Sequence, residues 1–239
     1  MPETAHKPTI YLIPVPLSDT GTDRVLPAWN RQVILPLRHF IVENLRSARR
    51  FLKSVDRSID IDAISFAELN VHTPPEQVEQ LLQPAAEGHD MGIISEAGCP
   101  AVADPGADAV RIAQKKGYNV CPLVGPSSII MGLMGSGFNG QNFAFCGYLP
   151  IEQGARTERM RQLQNQVLRH NQTQIFIETP YRNNRLIAEL CRTLQPDMLL
   201  CVASDITGPA QNITTRPLSQ WARASYNFDK IPSIFLLYK

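Results

Sequence analysis

Ser95-Glu96-Ala97-Gly98-Cys99-Pro100-Ala101-Val102-Ala103-Asp104-Pro105-Gly106, preceded by the apolar run Gly92-Ile93-Ile94, is the densest concentration of unusual backbone residues in the chain. The run reads as a short buried strand, and the twelve residues after it as a rigid loop ending where a helix starts near Pro105. Gly98 and Gly106 admit backbone conformations or close approaches that a Cβ would block, and the prolines stiffen the segment between them. Such a loop at the carboxyl end of a parallel strand is where open α/β sheets place ligands. A plain strand-to-helix connection, with Asp104 capping the helix, accounts for the same residues.

The pattern around this loop supports a parallel sheet. Thr9-Ile10-Tyr11-Leu12-Ile13-Pro14, Phe40-Ile41-Val42, Ala63 to Phe66 and Val120 to Val124 are further short apolar runs, and they alternate with helical stretches. Pro74-Pro75-Glu76 opens one helix, which Gly88 closes. A second series of strands covers Phe143-Ala144-Phe145-Cys146, Ile175-Phe176-Ile177, Met198 to Ala203 and Ile234 to Tyr238, with helices over 156–170 and 181–194. The chain is expected to be α/β with two α/β domains, 1–124 and 125–239, joined near Pro122-Leu123-Val124-Gly125-Pro126. Their charges differ: residues 1–126 carry 12 basic and 15 acidic side chains, residues 127–239 carry 11 and 7.

Composition excludes several classes. With 44% hydrophobic and 19% charged residues over 239 positions, extended disorder and fibrous folds fail. A net charge of +1 excludes nucleic-acid binding by bulk electrostatics, so any such partner must meet a local patch. Cys99, Cys121, Cys146, Cys191 and Cys201 form no Cys-x-x-Cys pair and none of the five histidines has a partner at ligand spacing, so no metal site is expected. An odd number of cysteines in apolar surroundings fits reduced, buried thiols and a cytoplasmic protein. The polar stretch Met1 to Pro8 has no apolar core of a signal peptide, and no run approaches the ~18 apolar residues of a membrane helix.

Three further clusters carry chemistry. Val124-Gly125-Pro126-Ser127-Ser128 opens a helix whose hydroxyls either cap it or meet an anionic group. Gly132 to Gly137 has the spacing Gly-x-x-Gly-x-Gly at a helix end and fails the dinucleotide fingerprint. Glu178-Thr179-Pro180-Tyr181-Arg182 ends a strand and fits ligand recognition or a surface ion pair. A basic stripe, Arg46, Arg49, Arg50, Lys53 and Arg57, lies opposite Leu45, Ala48, Leu52 and Val55. Phosphate contact or simple solvation explains it, and Arg156, Arg159, Arg161 and Arg169 are a second such bank.

In this order the clusters resemble the tetrapyrrole-methylase superfamily of S-adenosylmethionine-dependent methyltransferases over nearly the whole chain. Within it they look most like the RsmI-like branch that methylates a ribose 2′-hydroxyl of small-subunit ribosomal RNA. That branch's Pro-Thr-Pro-Ile-Gly-Asn stands here as Pro14 to Asp19, and its Asp-Ala-Gly-Thr-Pro-Leu-Ile-Ser-Asp-Pro-Gly as Glu96 to Gly106. Its Pro-Gly-Pro-Ser-Ala stands as Val124 to Ser128, its Gly-Phe-Leu-Pro as Gly147 to Pro150, and its Glu-Ser-Pro-His-Arg as Glu178 to Arg182. The acceptor-side motifs depart further. Ala-Glu-Asp-Thr-Arg keeps Glu43 and Arg46 around Asn44-Leu45, and Glu-Leu-Thr-Lys reads Asp205-Ile206-Thr207-Gly208, without the lysine.

The resemblance implies S-adenosylmethionine in a cleft between the domains, with the Gly98 turn facing Ser127, and a homodimer. It implies donor contacts from Pro16, Ala97, Gly98, Cys99, Val102, Ser127, Ser128, Glu178, Ala203 and Pro232, several through backbone atoms. Glu43 is the expected proton acceptor, with Asp205 the second choice, and Arg46 is expected to steady a phosphate. Methylation of a tetrapyrrole or other small molecule, and a cofactor-binding module without catalysis, are the competing readings.

Overall fold

The computed structural model describes residues 7–70 and 72–239. The polar stretch from Met1 and His6, read above, lie outside the described residues. The chain divides into two compact units, Met1–Pro126 and Ser127–Lys239.

Unit 1 runs β1 (Thr9–Ile13), α1 (Thr22–Val25), α2 (Ala28–Ile34), β2 (His39–Val42), α3 (Leu45–Val55), β3 (Ser65–Glu68), α4 (Pro75–Leu81), α5 (Gln83–Ala86), β4 (Met91–Ile94), α6 (Gly106–Lys115) and β5 (Asn119–Pro122). Its five strands are all parallel, in the order β3-β2-β4-β1-β5. The side-chain period of two gives each central strand two apolar faces. Ile10, Leu12, Ile41 and Ile93 pack with Val78, Leu82 and Ala109. Ile13, Phe40, Val42 and Ile94 pack with Ile34, Phe51 and Leu52 on the other side. Helices therefore cover both faces, and the functional loops are confined to the sheet's edges.

Strand boundaries shift where the apolar run and the ladder differ. The run from Ala63 pairs only from Ser65, and the run to Val124 pairs only to Pro122, after which Leu123 N–H makes a last bond to Leu12 O at 2.9 Å. The helix from Pro75 breaks after Leu81 and restarts as α5, with Pro84 in its first turn.

Unit 2 runs α7 (Ser128–Ser136), β6 (Phe143–Tyr148), α8 (Gln153–His170), β7 (Thr173–Ile177), a 3₁₀ turn (Pro180–Arg182), α9 (Asn183–Thr193), β8 (Leu199–Ser204), β9 (Asn212–Pro217), α10 (Leu218–Trp221) and β10 (Ser233–Tyr238). The sheet order is β6-β7-β10-β8-β9, parallel between β6 and β7 and antiparallel elsewhere. Strand β9 was not legible in the sequence. It is a polar, partly exposed edge strand without apolar alternation, and edge strands avoid such alternation because it invites aggregation. The core collects Leu163, Phe176, Leu190, Val202, Trp221 and Phe235, and the buried Trp221 indole donates to the Leu200 carbonyl at 2.9 Å.

All five cysteines are free thiols. Only Cys201 is fully buried, so the expectation of buried thiols fails for the other four, which are half-buried.

Candidate active site

Connections leave β1 toward β2 on one side and leave β4 toward β5 on the other. The adjacent carboxyl ends of β1 and β4 thus form the topological switch point, where open sheets bind ligands. The loops after these two strands are tied together there. Val15 N–H donates to Gly98 O and Gly98 N–H donates to Val15 O, both at 2.9 Å. This bridge fixes Pro16, the next residue, beside the Gly98 turn.

Gly98 is there for a physical reason. Its φ is +72°, and a Cβ would stand 3.1 Å from Leu17 Cδ2 and 3.6 Å from the Pro126 carbonyl oxygen. The same carbonyl accepts from Cys99 Sγ at 3.5 Å, and burial pushes the Cys99 thiol up, which keeps it protonated. Pro16, Ala97, Gly98, Cys99 and Pro126 therefore converge within unit 1, and Ala97 and Val102 are exposed there.

The rest of this loop is strained. Ala101 and Ala103 have φ of +65° and +56°, a region L-residues enter at a cost. The Asp104 carboxylate holds them by accepting from Ala101 N–H at 3.1 Å and Gly106 N–H at 2.6 Å. Pro105, not Asp104, is the N-cap of α6; Asp104 instead templates the turn that leads into it.

Strand β2 lies on the far side of β4, so Glu43, immediately after β2, reaches the same sheet edge. Its N–H donates to Ile94 O at 3.4 Å. Glu43 and Asp104 line one void of about 10 Å³, enough for about one water. Burial pushes the Glu43 carboxyl above its ordinary value, the Asp104 carboxylate adds to this, and the Glu96 backbone N–H offsets part of it. Among the described residues Glu43 forms no ion pair. The result is a carboxylate with raised basicity beside the switch point.

Next to Glu43, Asn44 caps α3. Its Oδ1 accepts from Arg46 N–H and Ser47 N–H at 2.9 and 3.2 Å. Ser47 Oγ lies 2.7 Å from Glu96 Oε1, coupling α3 to the Gly98 loop. The cap turns Arg46, Arg49 and Arg50 onto a groove of about 500 Å³ that Glu68 also lines. The Arg49 guanidinium stands 5.6 Å over the Phe66 ring. Lys53 leaves the basic stripe, because Nζ donates to the Arg57 and Ile59 carbonyls at 3.1 and 2.6 Å.

In unit 2, Ser127 caps α7 and Ser128 begins it, Ser127 Oγ accepting from Ile130 N–H at a long 3.5 Å. The Glu178 side chain is fully engaged. Oε2 accepts from Arg156 at 2.7 Å, and Oε1 from Thr179 N–H at 2.7 Å and Arg182 at 2.8 Å. Burial opposes its ionisation, but Thr179 N–H and the Arg156 and Arg182 guanidiniums outweigh that and hold the carboxyl below its ordinary value. The cluster thus holds an ion pair between Glu178 and the part-exposed Arg182, and the carboxylate is buried against a second partner, Arg156, which is buried as well. Arg156 is also paired with Glu189 at 2.6 Å and leaves the second basic bank. The buried Ala203 packs its Cβ toward Gly132.

Asp205 follows β8 at φ +46° and Thr207 at +70°. Asp205 N–H donates to the carbonyl of Pro232, itself exposed, at 2.9 Å, and Oδ2 accepts from Ala210 N–H at 2.8 Å. The carboxylate folds over Gly208, where a Cβ would stand 2.1 Å from Oδ1. A side chain at that position would require the Asp205 carboxylate to shift. Among the described residues no group of three metal-ligating side chains gathers, and no helix is long and apolar enough to cross a membrane.

An all-parallel unit with a glycine-templated switch point, followed by a mixed-sheet unit, defines a class that sequence comparison identifies. Residues 34–222 match the model of the Tetrapyrrole (Corrin/Porphyrin) Methylases, and the chain belongs to this family. It is a methyltransferase by that membership.

Among its relatives is a protein of Vibrio cholerae named ribosomal RNA small subunit methyltransferase I, 26% identical over 97% of this chain and 77% of the relative. Proteins of the same name from Micromonospora olivasterospora (30% identical, 80% of this chain, 58% of the relative) and Escherichia coli O157:H7 (25%, 91% and 73%) are similar too. The crystal structure of the methyltransferase CobJ shares the fold, with a TM-score of 0.62 at 16% identity over 97% of this chain and 93% of that one.

Proposed function

We propose that the chain methylates a ribose 2′-hydroxyl of small-subunit ribosomal RNA from S-adenosylmethionine, as a cytoplasmic homodimer. The single observation that carries this is the gathering, at one sheet edge, of the Val15–Gly98 bridge, the basic Glu43 carboxylate and the arginines of α3. The relatives' names supply the RNA, and the free thiols fit a reducing compartment.

The donor fits what is present. The turn at Gly98 packs closely against Leu17 and the Pro126 carbonyl, and exposed Ala97 and Val102 beside it offer backbone and apolar contact. We assign donor contact to Pro16, Ala97, Gly98, Cys99 and Val102 of unit 1. S-adenosylmethionine supplies a methyl group already activated by its sulfonium, so the protein chiefly aligns the acceptor.

Glu43 takes the proton of the 2′-hydroxyl as its oxygen gains the methyl group, a role suited to a carboxyl pushed toward neutrality. Arg46, Arg49 and Arg50 bind flanking phosphates. Asp205 holds its loop in shape rather than moving a proton.

The test incubates the full chain with radiolabelled S-adenosylmethionine and small ribosomal subunits from cells lacking this protein, then analyses the nucleosides. A labelled 2′-O-methylribose is expected. Label on a base, on a small molecule only, or nowhere overturns the reading. With three phosphate contacts, RNA affinity should fall with salt at a log–log slope of about −2 to −3. Sedimentation at micromolar concentration should give a dimer.

A further inference from the structure

Glu96 grips two neighbours with two different groups. Its backbone N–H donates to the Glu43 carboxylate. Its side-chain Oε1 lies 2.7 Å from Ser47 Oγ, which belongs to the first turn of α3. Gly98, in the same loop, is bonded in both directions to Val15 at 2.9 Å. The short stretch from Glu96 to Gly98 therefore touches the carboxylate after β2, the arginine-bearing helix and the loop after β1.

The direction of the Ser47 bond follows from proton counting. Its hydroxyl has one proton and two nearby acceptors, Asn44 Oδ1 at 3.0 Å and Glu96 Oε1 at 2.7 Å. Asn44 Oδ1 already accepts from Arg46 N–H and Ser47 N–H, whereas the carboxylate is closer and charged, so the proton goes to Glu96. Glu96 is exposed and Ser47 part-exposed, and a hydrogen bond open to water adds little to folding stability. Its consequence is geometric: it sets where the start of α3, and with it Arg46, stands relative to the Gly98 turn.

We propose that Glu96 is a positioning residue for methyl transfer: its carboxylate holds Ser47 while its backbone N–H holds Glu43, which keeps the proton acceptor, the arginines of α3 and the Gly98 turn in one fixed arrangement. This rests on the methylation reading above. The charged groups facing Glu43 are the carboxylates of Asp104 and Glu96, which favour its proton, while the Glu96 N–H favours its charge. A loop released from α3 turns that N–H away, and Glu43 then holds its proton more tightly.

The test uses four variants of the full chain: Ser47→Ala, which keeps the Glu96 charge, Ser47→Thr, which keeps the hydroxyl, Glu96→Ala, and the double variant Ser47→Ala/Glu96→Ala. Single-turnover methyl transfer at saturating ribosomal subunits and S-adenosylmethionine should fall about tenfold in either alanine variant, no further in the double one, and stay near the parent in Ser47→Thr. The Glu43 carboxyl, followed by carbon NMR without RNA, should titrate about half a pH unit higher in Ser47→Ala than in the parent. The proposal is overturned by rate losses that multiply in the double variant, by a Ser47→Thr variant as slow as Ser47→Ala, or by an unmoved Glu43 titration. The two readings fail separately. An inactive parent with the shifted titration overturns the methylation reading and leaves the tie between Ser47, Glu96 and Glu43 standing, whereas an active parent with an unmoved titration overturns the tie alone.

Discussion

Glu43, which follows β2 in unit 1, and Glu178, which follows β7 in unit 2, stand at comparable places in their sheets and face opposite surroundings. Glu43 has burial and a neighbouring carboxylate, both of which favour its proton. Glu178 has two guanidiniums and a backbone N–H, which favour its charge. The same residue type at a strand end thus becomes a base in one unit and a structural anchor in the other, and the difference lies wholly in the partners.

The sharpest way to break this comparison is Glu43→Gln. Removing a positioned general base should lower methyl transfer by about 10²- to 10⁴-fold, measured in single turnover. Stability should move the other way. A carboxyl whose folded pKa is raised favours the folded state at low pH, and that advantage disappears as pH rises from its unfolded value of about 4.5 through the folded one. The glutamine variant should therefore melt no lower than the parent at neutral pH, and its relative advantage should vanish in acid. A clearly less stable variant would mean that Glu43 is an anchor too.

Glu178→Ala is the converse. It removes a carboxylate whose side chain is 2% exposed from an arginine whose side chain is 6% exposed, and breaking a buried pair costs about 3–5 kcal/mol. Because Arg156 keeps Glu189, the lower end is expected, read by urea unfolding. The folded pKa of Glu178 is depressed, so its contribution is present above the unfolded pKa and is lost as pH falls through the folded one. A variant that unfolds like the parent would contradict the anchoring role.

Asp104→Ala sharpens the contrast from a third position. Its loss leaves the Ala101 and Gly106 N–H groups unmet, at about 1–3 kcal/mol. The strained loop should relax, so amide exchange at Ala101 and Ala103 should rise well above exchange in β4. Equal exchange in parent and variant would show that the loop does not depend on this carboxylate.

The smallest effect belongs to Asp56, paired with Arg31 on the surface. Hydrogen bonds from Ser58, then Arg31, bring its carboxyl to about 2. Its contribution is present above the unfolded value near 3.8 and is lost toward pH 2. Asp56→Asn should change melting only slightly at pH 7 and not at all near pH 2; a large change at pH 7 would contradict a surface pairing.

The all-parallel half of the fold was legible because Ile10, Ile41 and Ile93 sit in short apolar runs that only a doubly covered strand explains. Strand β9 was not, since a polar edge strand leaves no periodic trace. The Gly98 turn could be read from its glycine. The positive φ of Ala101, Ala103 and Thr207 could not, because alanine and threonine do not advertise that conformation. Glu43 was visible by its place after β2, but its raised basicity comes first from burial and then from Asp104, 61 residues away. The burial of Arg156 was hidden for a similar reason: an arginine in a polar helix reads as solvated until its two glutamates are seen.

The measurement closest to the central claim is a calorimetric titration of S-adenosylmethionine into the full chain and into Gly98→Val. The account predicts stoichiometric binding by the parent and binding weakened more than tenfold in the variant, whose side chain would occupy the switch-point turn. No heat of binding in the parent, or equal binding by both, would contradict it.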